Sequence, residues 1–316
     1  MTAGAAVKAD GYGLGARETT EALIEVGCRD FFVSSWAEAG ALGTLPQDAS
    51  LVVLHGVGPD DAESALRVRA RPCLNTVDQI ARWREIGSGR PCDVMIDTGM
   101  NRLGLRPTEI GDLDGLTIDT LHSHLACADE ESALNQMQLE RFRAVAGAVG
   151  AKRYSFANSA GICLGRDYSF DLVRPGLSLY GGVPRVEAEG AIRQVARVEA
   201  QIVQRRTIPE GESCGYGATY FADEDTEAAI LNIGYADGYL RGFSSRGSAF
   251  AGEYALPVLG RVSMDLIAVS VDAAPGLKEG DWVEIDYDLP SASEQSGLAQ
   301  YELLTMLGSR FERHWV

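Results

Sequence analysis

The sequence contains no apolar run of the length a membrane span requires. It has no block of lysine and arginine to offset its acidic surplus. Against 45 acidic residues stand 28 basic ones, a net charge of −17, which excludes the basic stripe that nucleic-acid binding needs. Cysteine is sparse and scattered. Cys28, Cys73, Cys92, Cys127, Cys163 and Cys214 form no C-x-x-C pair, so neither a disulfide framework nor a zinc site is expected, and a reducing compartment is the simplest setting. The first seven residues lack the basic region of a secretory leader. A cytoplasmic location without nucleic-acid or membrane partners is expected. No internal repeat or low-complexity tract is present.

What remains is a chain of 316 residues with 46% hydrophobic content, enough for one large α/β unit and a smaller companion. Eight short β-rich runs lie at Ala5–Lys8, Phe31–Ser34, Leu51–His55, Pro72–Asn75, Val94–Asp97, Thr120–Leu125, Tyr154–Ala157 and Val173–Leu179. Between them, sets such as Ala16, Thr20, Leu23, Ile24 and Gly27, or Leu139, Phe142, Val145 and Val149, repeat at intervals of three and four. This alternation outlines an α/β fold of the (β/α)8 TIM-like barrel type, and a doubly wound open sheet would alternate in the same way. Beyond Gly182 the pattern changes to Val195–Gln204, Ala228–Ile233, Leu256–Val258, Leu266–Val271 and Trp282–Ile285, with Gly, Pro and Asp at the turns. Two domains follow, a barrel over residues 1–183 and a mostly β domain over 184–316. Glu302–Arg310 reads as a short helix or a terminal strand.

Polar residues gather at or just past the ends of these runs: Lys8 after the first, Arg102 after the fifth, His124 late in the sixth, Asn158 and Ser159 after the seventh, Arg174 on the eighth. In barrels that face carries the chemistry. A lysine closing a buried strand is costly unless its amine has a task, and forming an imine with a carbonyl is one. Taken singly, Lys8 also reads as a strand end reaching solvent, Arg174 as an ordinary strand-end charge, and Tyr216 as a packed strand aromatic. Gly11, Gly13 and Gly15 imitate a dinucleotide fingerprint, but the spacing fails after the second glycine and no acidic residue follows at the required distance.

Eight segments in order resemble alanine racemase: Val7-Lys8-Ala9-Asp10-Gly11-Tyr12-Gly13, Asp97-Thr98-Gly99-Met100-Asn101-Arg102, His124-Leu125-Ala126-Cys127-Ala128-Asp129, Ala157-Asn158-Ser159-Ala160-Gly161, Arg174-Pro175-Gly176-Leu177-Ser178-Leu179-Tyr180, Gly215-Tyr216-Gly217-Ala218-Thr219-Tyr220, Ile233-Gly234-Tyr235-Ala236-Asp237-Gly238-Tyr239 and Arg261-Val262-Ser263-Met264-Asp265. The resemblance implies a pyridoxal 5'-phosphate barrel followed by a β domain, in a homodimer with shared active sites. Lys8 would carry the cofactor, and Tyr216 from the other subunit would face it, so that two bases serve opposite sides of alanine. His124 and Arg174 would support them, with Arg174 donating to the pyridine nitrogen and keeping it unprotonated, since a guanidinium has no proton to give up. Tyr12, Asn158, Ser159, Gly176 and Leu177 would bind cofactor. Arg102 and the backbone of Met264 would hold the substrate carboxylate. Tyr235, Asp129, Arg241 and Arg261 match positions around the access channel.

Three departures from the family pattern stand out. Many relatives have a carbamylated lysine seven residues before the Arg102 position, where Met95 stands here, so Arg102 needs another partner. Some have a phosphate-contacting tyrosine near the C-terminus, where this chain offers Ser309. Family members also carry a strand and a helix ahead of the cofactor lysine, so an upstream start or lower stability is expected. The activity expected is L-/D-alanine racemisation supplying peptidoglycan. A racemase of broader specificity and a non-catalytic cofactor-binding fragment are the alternatives, with decarboxylases of the same fold disfavoured by the Tyr216 motif.

Overall fold

The computed structural model describes residues 1–316. It divides into two compact units, the first comprising Met1–Leu179 with Val183–Ile192 and the second Tyr180–Gly182 with Arg193–Val316.

In the first unit nine parallel segments form one sheet: β1 (Thr2–Ala3), β2 (Ala5–Ala6), β3 (Asp30–Val33), β4 (Ser50–Val53), β5 (Arg71–Leu74), β6 (Cys92–Met95), β7 (Ile118–His122), β8 (Arg153–Ser155) and β9 (Leu172–Val173). Their order is β1-β9-β8-β7-β6-β5-β4-β3-β2. The two ends of that order are one stretch of chain. Residues 2–6 pair with β9 through β1 and with β3 through β2. Gly4 N donates to Val173 O at 2.9 Å and Ala6 N to Pro175 O at 2.9 Å. Nine segments therefore amount to eight strands around a closed barrel. Gly4 makes the closure possible, because a Cβ there would lie 2.8 Å from both Asp30 O and a Phe32 ring carbon.

Helices α1 (Ala16–Glu25), α2 (Trp36–Leu42), α3 (Ala62–Arg67), α4 (Val77–Ile86) and α5 (Ala133–Ala148) lie between the strands, followed by the short α6 (Ser159–Cys163) and α7 (Arg166–Ser169). Side chains of Ser35, Thr76, Ser132 and Asn158 cap four of them by accepting first-turn N–H groups. Strand periodicity of two divides the barrel. Phe31, Val33, Leu51, Val53, Leu74, Val94 and Leu121 pack with the helix residues Trp36, Ile80, Leu139 and Phe142 in one large core. The alternate residues Phe32, Val52, Cys73, Met95 and Leu172 form a small separate cluster. Each fully buried aliphatic or aromatic side chain contributes about 1.5–3 kcal/mol.

The alternate positions also carry charge. Arg153 makes a two-point pair with Asp30 at 2.8 and 2.9 Å and reaches Asp119 at 2.9 Å. Arg71 pairs with Asp119 at 3.2 Å and donates through Nε to Asp93 at 2.8 Å. Burial alone would raise the Asp30 carboxyl, but the hydrogen bond and charge of Arg153 outweigh it and hold it below its usual range.

Two strand ends differ from the sequence reading. The sixth run stops at His122, so His124 lies two residues beyond the strand rather than within it. The eighth stops at Val173, placing Arg174 just past its end. Pro175 has no N–H to continue the ladder, and Leu177–Tyr180 form a 3-10 turn.

The second unit holds a six-stranded sheet of β10 (Val198–Ile208), β13 (Thr226–Leu231), β14 (Ser248–Ala251), β15 (Tyr254–Pro257), β16 (Ile267–Ser270) and β17 (Trp282–Ile285), in the order β15-β14-β17-β10-β13-β16. Its pairings are antiparallel. A separate hairpin joins β11 (Ser213–Cys214) to β12 (Tyr220–Phe221). Sequence periodicity missed β14 and this hairpin, because two-residue strands and the small residues of β14 leave no alternating pattern. The chain ends in α8 (Leu289–Ser296) and α9 (Gln300–Thr305), so the terminal element is a helix.

Replacing Arg153 with Ala removes the cation of Asp30 and one of those serving Asp119. Chemical denaturation should show a loss of about 3 kcal/mol. A loss below ~0.5 kcal/mol, the scale of a surface pair, would show that the array carries no stability.

Candidate active site

Lys8 opens a turn of unusual hand. Ala9, Asp10, Gly11 and Tyr12 have φ of 53, 52, 60 and 55°, four consecutive left-handed residues. The left-handed region costs an L-residue roughly 1–2 kcal/mol. Hydrogen bonds offset it: Asp10 Oδ1 accepts from Ala16 N at 2.9 Å, and Glu38 Oε1 accepts from Ala9 N at 2.9 Å. Glu38 Oε2 accepts from Ser34 N at 2.6 Å, so one carboxylate ties the turn to the start of α2. Gly11 is required by space as well as by φ, since a Cβ would stand 3.0 Å from Ala16 N. Burial, and then the charge of Arg102, push the Lys8 amine below its usual value, with Glu38 opposing them.

Arg174 is buried behind this turn. Its Nη1 donates to Ser155 Oγ and to His122 Nδ1, the latter at 3.2 Å. Its Nη2 donates to Ser123 O at 2.7 Å and makes a long 3.5 Å contact with His124 Nδ1. Four of five N–H groups are thereby committed, leaving Nε–H for a ligand. His122 Nε2 lies 2.9 Å from Asp93 Oδ2. Arginine can only donate, so Nδ1 of a neutral His122 accepts and its Nε2–H points to Asp93. Burial, outweighing Asp93, brings His122 down to about 4; burial and then Arg174 bring His124 down to about 3. Both rings are neutral at ordinary pH.

Asp93 and His122 escaped the sequence reading, although an aspartate inside the apolar run Cys92–Met95 was a visible signal. Gln138 of α5 holds the segment beyond β7, donating to His124 O at 3.0 Å and accepting from Ala126 N at 2.9 Å.

Residues after β8 and β9 form a polar cradle. Ser159 Oγ accepts from Gly176 N at 3.0 Å and Ser178 N at 3.2 Å, keeping its own hydrogen for a further acceptor. Leu177 opens a 3-10 turn whose first N–H groups the turn cannot satisfy. The Tyr12 hydroxyl occupies the space over Gly176, where a Cβ would collide with it. Asn158 differs in part: its Oδ1 caps α6 by accepting from Gly161 N at 2.8 Å. This cradle of hydroxyl and main-chain donors, with the Lys8 amine and the Arg174 Nε–H, fits a phosphorylated aldehyde bearing a ring nitrogen.

Arg102 is exposed and its side chain makes no hydrogen bond or ion pair within the chain. Its loop is fixed from below, because Asp97 Oδ1 accepts from Gly99 N and Met100 N at 2.8 and 2.9 Å. Met95 lies buried in the inner apolar cluster. Asp129 is exposed on a loop that Arg185 and Asn135 fasten: Arg185 donates to Ala128 O at 2.9 Å and Asn135 to Cys127 O at 2.9 Å.

The second unit gathers its own set. Tyr216 sits in the loop between β11 and β12, between Gly215 and Gly217 at φ of 78 and 75°, and is 68% exposed. It is not a packed strand aromatic. The Arg261 guanidinium lies against Gly217, where a Cβ would be 3.0 Å away. The Arg241 guanidinium stands 5.4 Å over the Tyr235 ring. Tyr235 N donates to Ser263 O and Ala236 N to Met264 O, both at 3.0 Å. Tyr216, Tyr235, Arg241, Arg261 and Met264 thus belong to one connected group.

Residues 1–184 match the family profile described as alanine racemase, N-terminal domain, and residues 195–315 that of alanine racemase, C-terminal domain. The chain belongs to the alanine racemase family. It is 41% identical to a catabolic alanine racemase of Agrobacterium fabrum, over 99% of this chain and 85% of that protein. It is 39% identical to the alanine racemase of Methylobacterium nodulans, over 99% and 89%. Among solved structures, alanine racemase from Bartonella henselae with covalently bound pyridoxal phosphate superposes with a TM-score of 0.92 at 35% identity, over 99% of this chain and 92% of that one. The biosynthetic enzyme of Pseudomonas aeruginosa superposes at 0.90 and 31%, over 100% and 92%.

Gly176→Ala should displace Tyr12 and weaken cofactor affinity by about tenfold or more, roughly 1.4 kcal/mol, read by titrating pyridoxal phosphate into cofactor-free protein. Unchanged affinity would remove the cradle from the site. The two neutral histidines also link folding to protons. The unfolded chain binds protons near pH 6.5 and the folded one only near 4 and 3, so stability is complete above about 6.5 and falls as pH drops through that window. Denaturation midpoints between pH 7.5 and 4.5 should report uptake of about two protons on unfolding at pH 5; a flat profile would mean the rings are charged when folded.

Proposed function

We propose that the protein interconverts L- and D-alanine with pyridoxal phosphate attached at Lys8, passing the α-proton between Lys8 on one side and Tyr216 of a second copy on the other. Pyridoxal phosphate, when bound, supplies an electron sink that acidifies the Cα–H of an attached amino acid. Lys8, its pKa lowered by burial and by Arg102, has a larger neutral fraction than an ordinary lysine and can take a proton near neutral pH. Tyr12, Ser159 and the main chain at Gly176 and Leu177 would hold the phosphate, with Asn158 shaping their helix start. Arg174 would donate its Nε–H to the ring nitrogen. Because that guanidinium keeps its own proton, it would leave the ring nitrogen unprotonated and so make the cofactor a weaker electron sink. Arg102 and the Met264 N–H would take the substrate carboxylate.

The observation that carries this reading is the convergence of Lys8, Arg102, His124 and Arg174. After burial, the charges of Arg174, Arg102 and Lys8 all act on the neutral His124 imidazole and that of Arg102 acts on Lys8, without a carboxylate contact to Arg102 or a direct one to Arg174. Such a site favours an anionic ligand. The exposure of Tyr216 at 68% and Met264 at 52% supports a homodimer in which each copy covers the other's loop. Six free cysteines are consistent with the cytoplasm. No helix is long and apolar enough to cross a membrane. Supply of D-alanine for peptidoglycan is the favoured role, and the 41% identity to a catabolic enzyme favours a second one, breakdown of alanine.

Incubating the holoenzyme with L-alanine should give D-alanine by chiral separation. Tyr216→Phe should lower that rate by about 10²-fold or more while the visible absorbance of the lysine-bound cofactor persists. Equal loss of both would make the tyrosine structural. Serine or lysine turned over as fast as alanine would favour broader specificity.

A further inference from the structure

Three segments of the second unit meet at Arg310. The first is the turn Gly234–Gly238, the second Ser263–Asp265, the third the residues after α9. Gly234 lets the first two touch, since a Cβ there would collide with Met264 O and lie 2.5 Å from Ser263 O. Gly238 does the same for the third, where a Cβ would collide with Met306 O, and Gly308 N donates to Asp237 O at 3.0 Å. Arg310 spans them with its side chain. Its Nε donates to Asp237 Oδ1 at 2.7 Å and its Nη1 to Asp265 Oδ1 at 2.8 Å. Asp237 is nearly buried, and its other oxygen accepts from Gly234 N at 2.9 Å.

We propose that Arg310 is a positioning residue for the substrate-carboxylate subsite, joining the Tyr235 turn to the Met264 segment and cancelling the charge of Asp265 beside the Met264 N–H. This rests on the reading of Met264 as a substrate contact. Asp265 follows Met264 directly in sequence, so an unpaired carboxylate there would repel an incoming carboxylate at close range. A lone surface ion pair has little effect, but this arginine bridges two carboxylates from different segments, and Asp237 has no other cation. The guanidinium fork meets both at once, which a lysine ammonium cannot do with the same geometry. No sequence motif pointed to it.

The test uses the holoenzyme. Arg310→Ala should raise KM for L- and D-alanine by about tenfold, with kcat within roughly threefold of wild type. Propionate, which presents a carboxylate and a methyl group without an amine, should bind about tenfold more weakly, read as a shift in the visible absorbance of the bound cofactor. Adding Asp265→Asn to Arg310→Ala should recover most of both losses, which a purely structural role would not allow. If Arg310→Ala does not fold, Arg310→Lys serves, with an intermediate rise in both constants. Wild-type constants in either variant, or a rise that Asp265→Asn leaves in place, would overturn the proposal. Failure of the racemase reading is distinct, because it would appear as absent D-alanine formation in the wild type.

Discussion

A row of paired polar groups runs through the barrel, charges of alternating sign from Asp30 through Arg153, Asp119 and Arg71 to Asp93, then the neutral His122 and Arg174, linked in that order by contacts of 2.8–3.2 Å. In a low-dielectric interior a single unpaired member would cost several kcal/mol, so the row is tolerable only when complete. Completeness fixes geometry. His122 is neutral and presents Nδ1 to Arg174 because its Nε2–H is taken by Asp93, and Arg174 then has one N–H direction left. The last charge in the row is the one that keeps an N–H open.

The mouth of the barrel rests on a second constraint, the left-handed turn after Lys8. The left-handed run persists because Glu38 takes up the N–H of Ala9 and of Ser34, and Asp10 that of Ala16. Glu38 completes the capping box of α2 and also holds the lysine turn. The start of one helix and the aim of the candidate base are therefore a single feature. Around it burial, and then the charge of Arg102, lower the Lys8 amine, and the imidazoles stay uncharged. Met95 leaves Arg102 without a side-chain partner inside the chain, so its pre-organisation depends on the Asp97 turn beneath it.

Much of this was legible in the chain. The eight β-rich runs marked eight strands, and of the residues collected at their ends Arg174 reaches His124 while Ser159 holds the Gly176–Ser178 segment just after Arg174. The small terminal strands were not legible as a closure, because β1 and β2 are two residues each and only Gly4, through its missing Cβ, joins them to both edges. Asp93 and His122 were passed over because polar residues inside a strand gain meaning from what faces them across the barrel. Arg310 lies some 70 residues from one partner and 45 from the other, a separation that no local pattern bridges.

The sequence by itself determined the order of the elements, the change from α/β to β near residue 182 and the residue types available for chemistry, since periodicity, turn residues and motifs are local properties of a chain. Tertiary structure alone decided which hydrogen His122 carries, which N–H of Arg174 stays open and which carboxylates Arg310 joins. Those depend on distances of about 3 Å between residues far apart in sequence, and a hydrogen bond exists only at such distances.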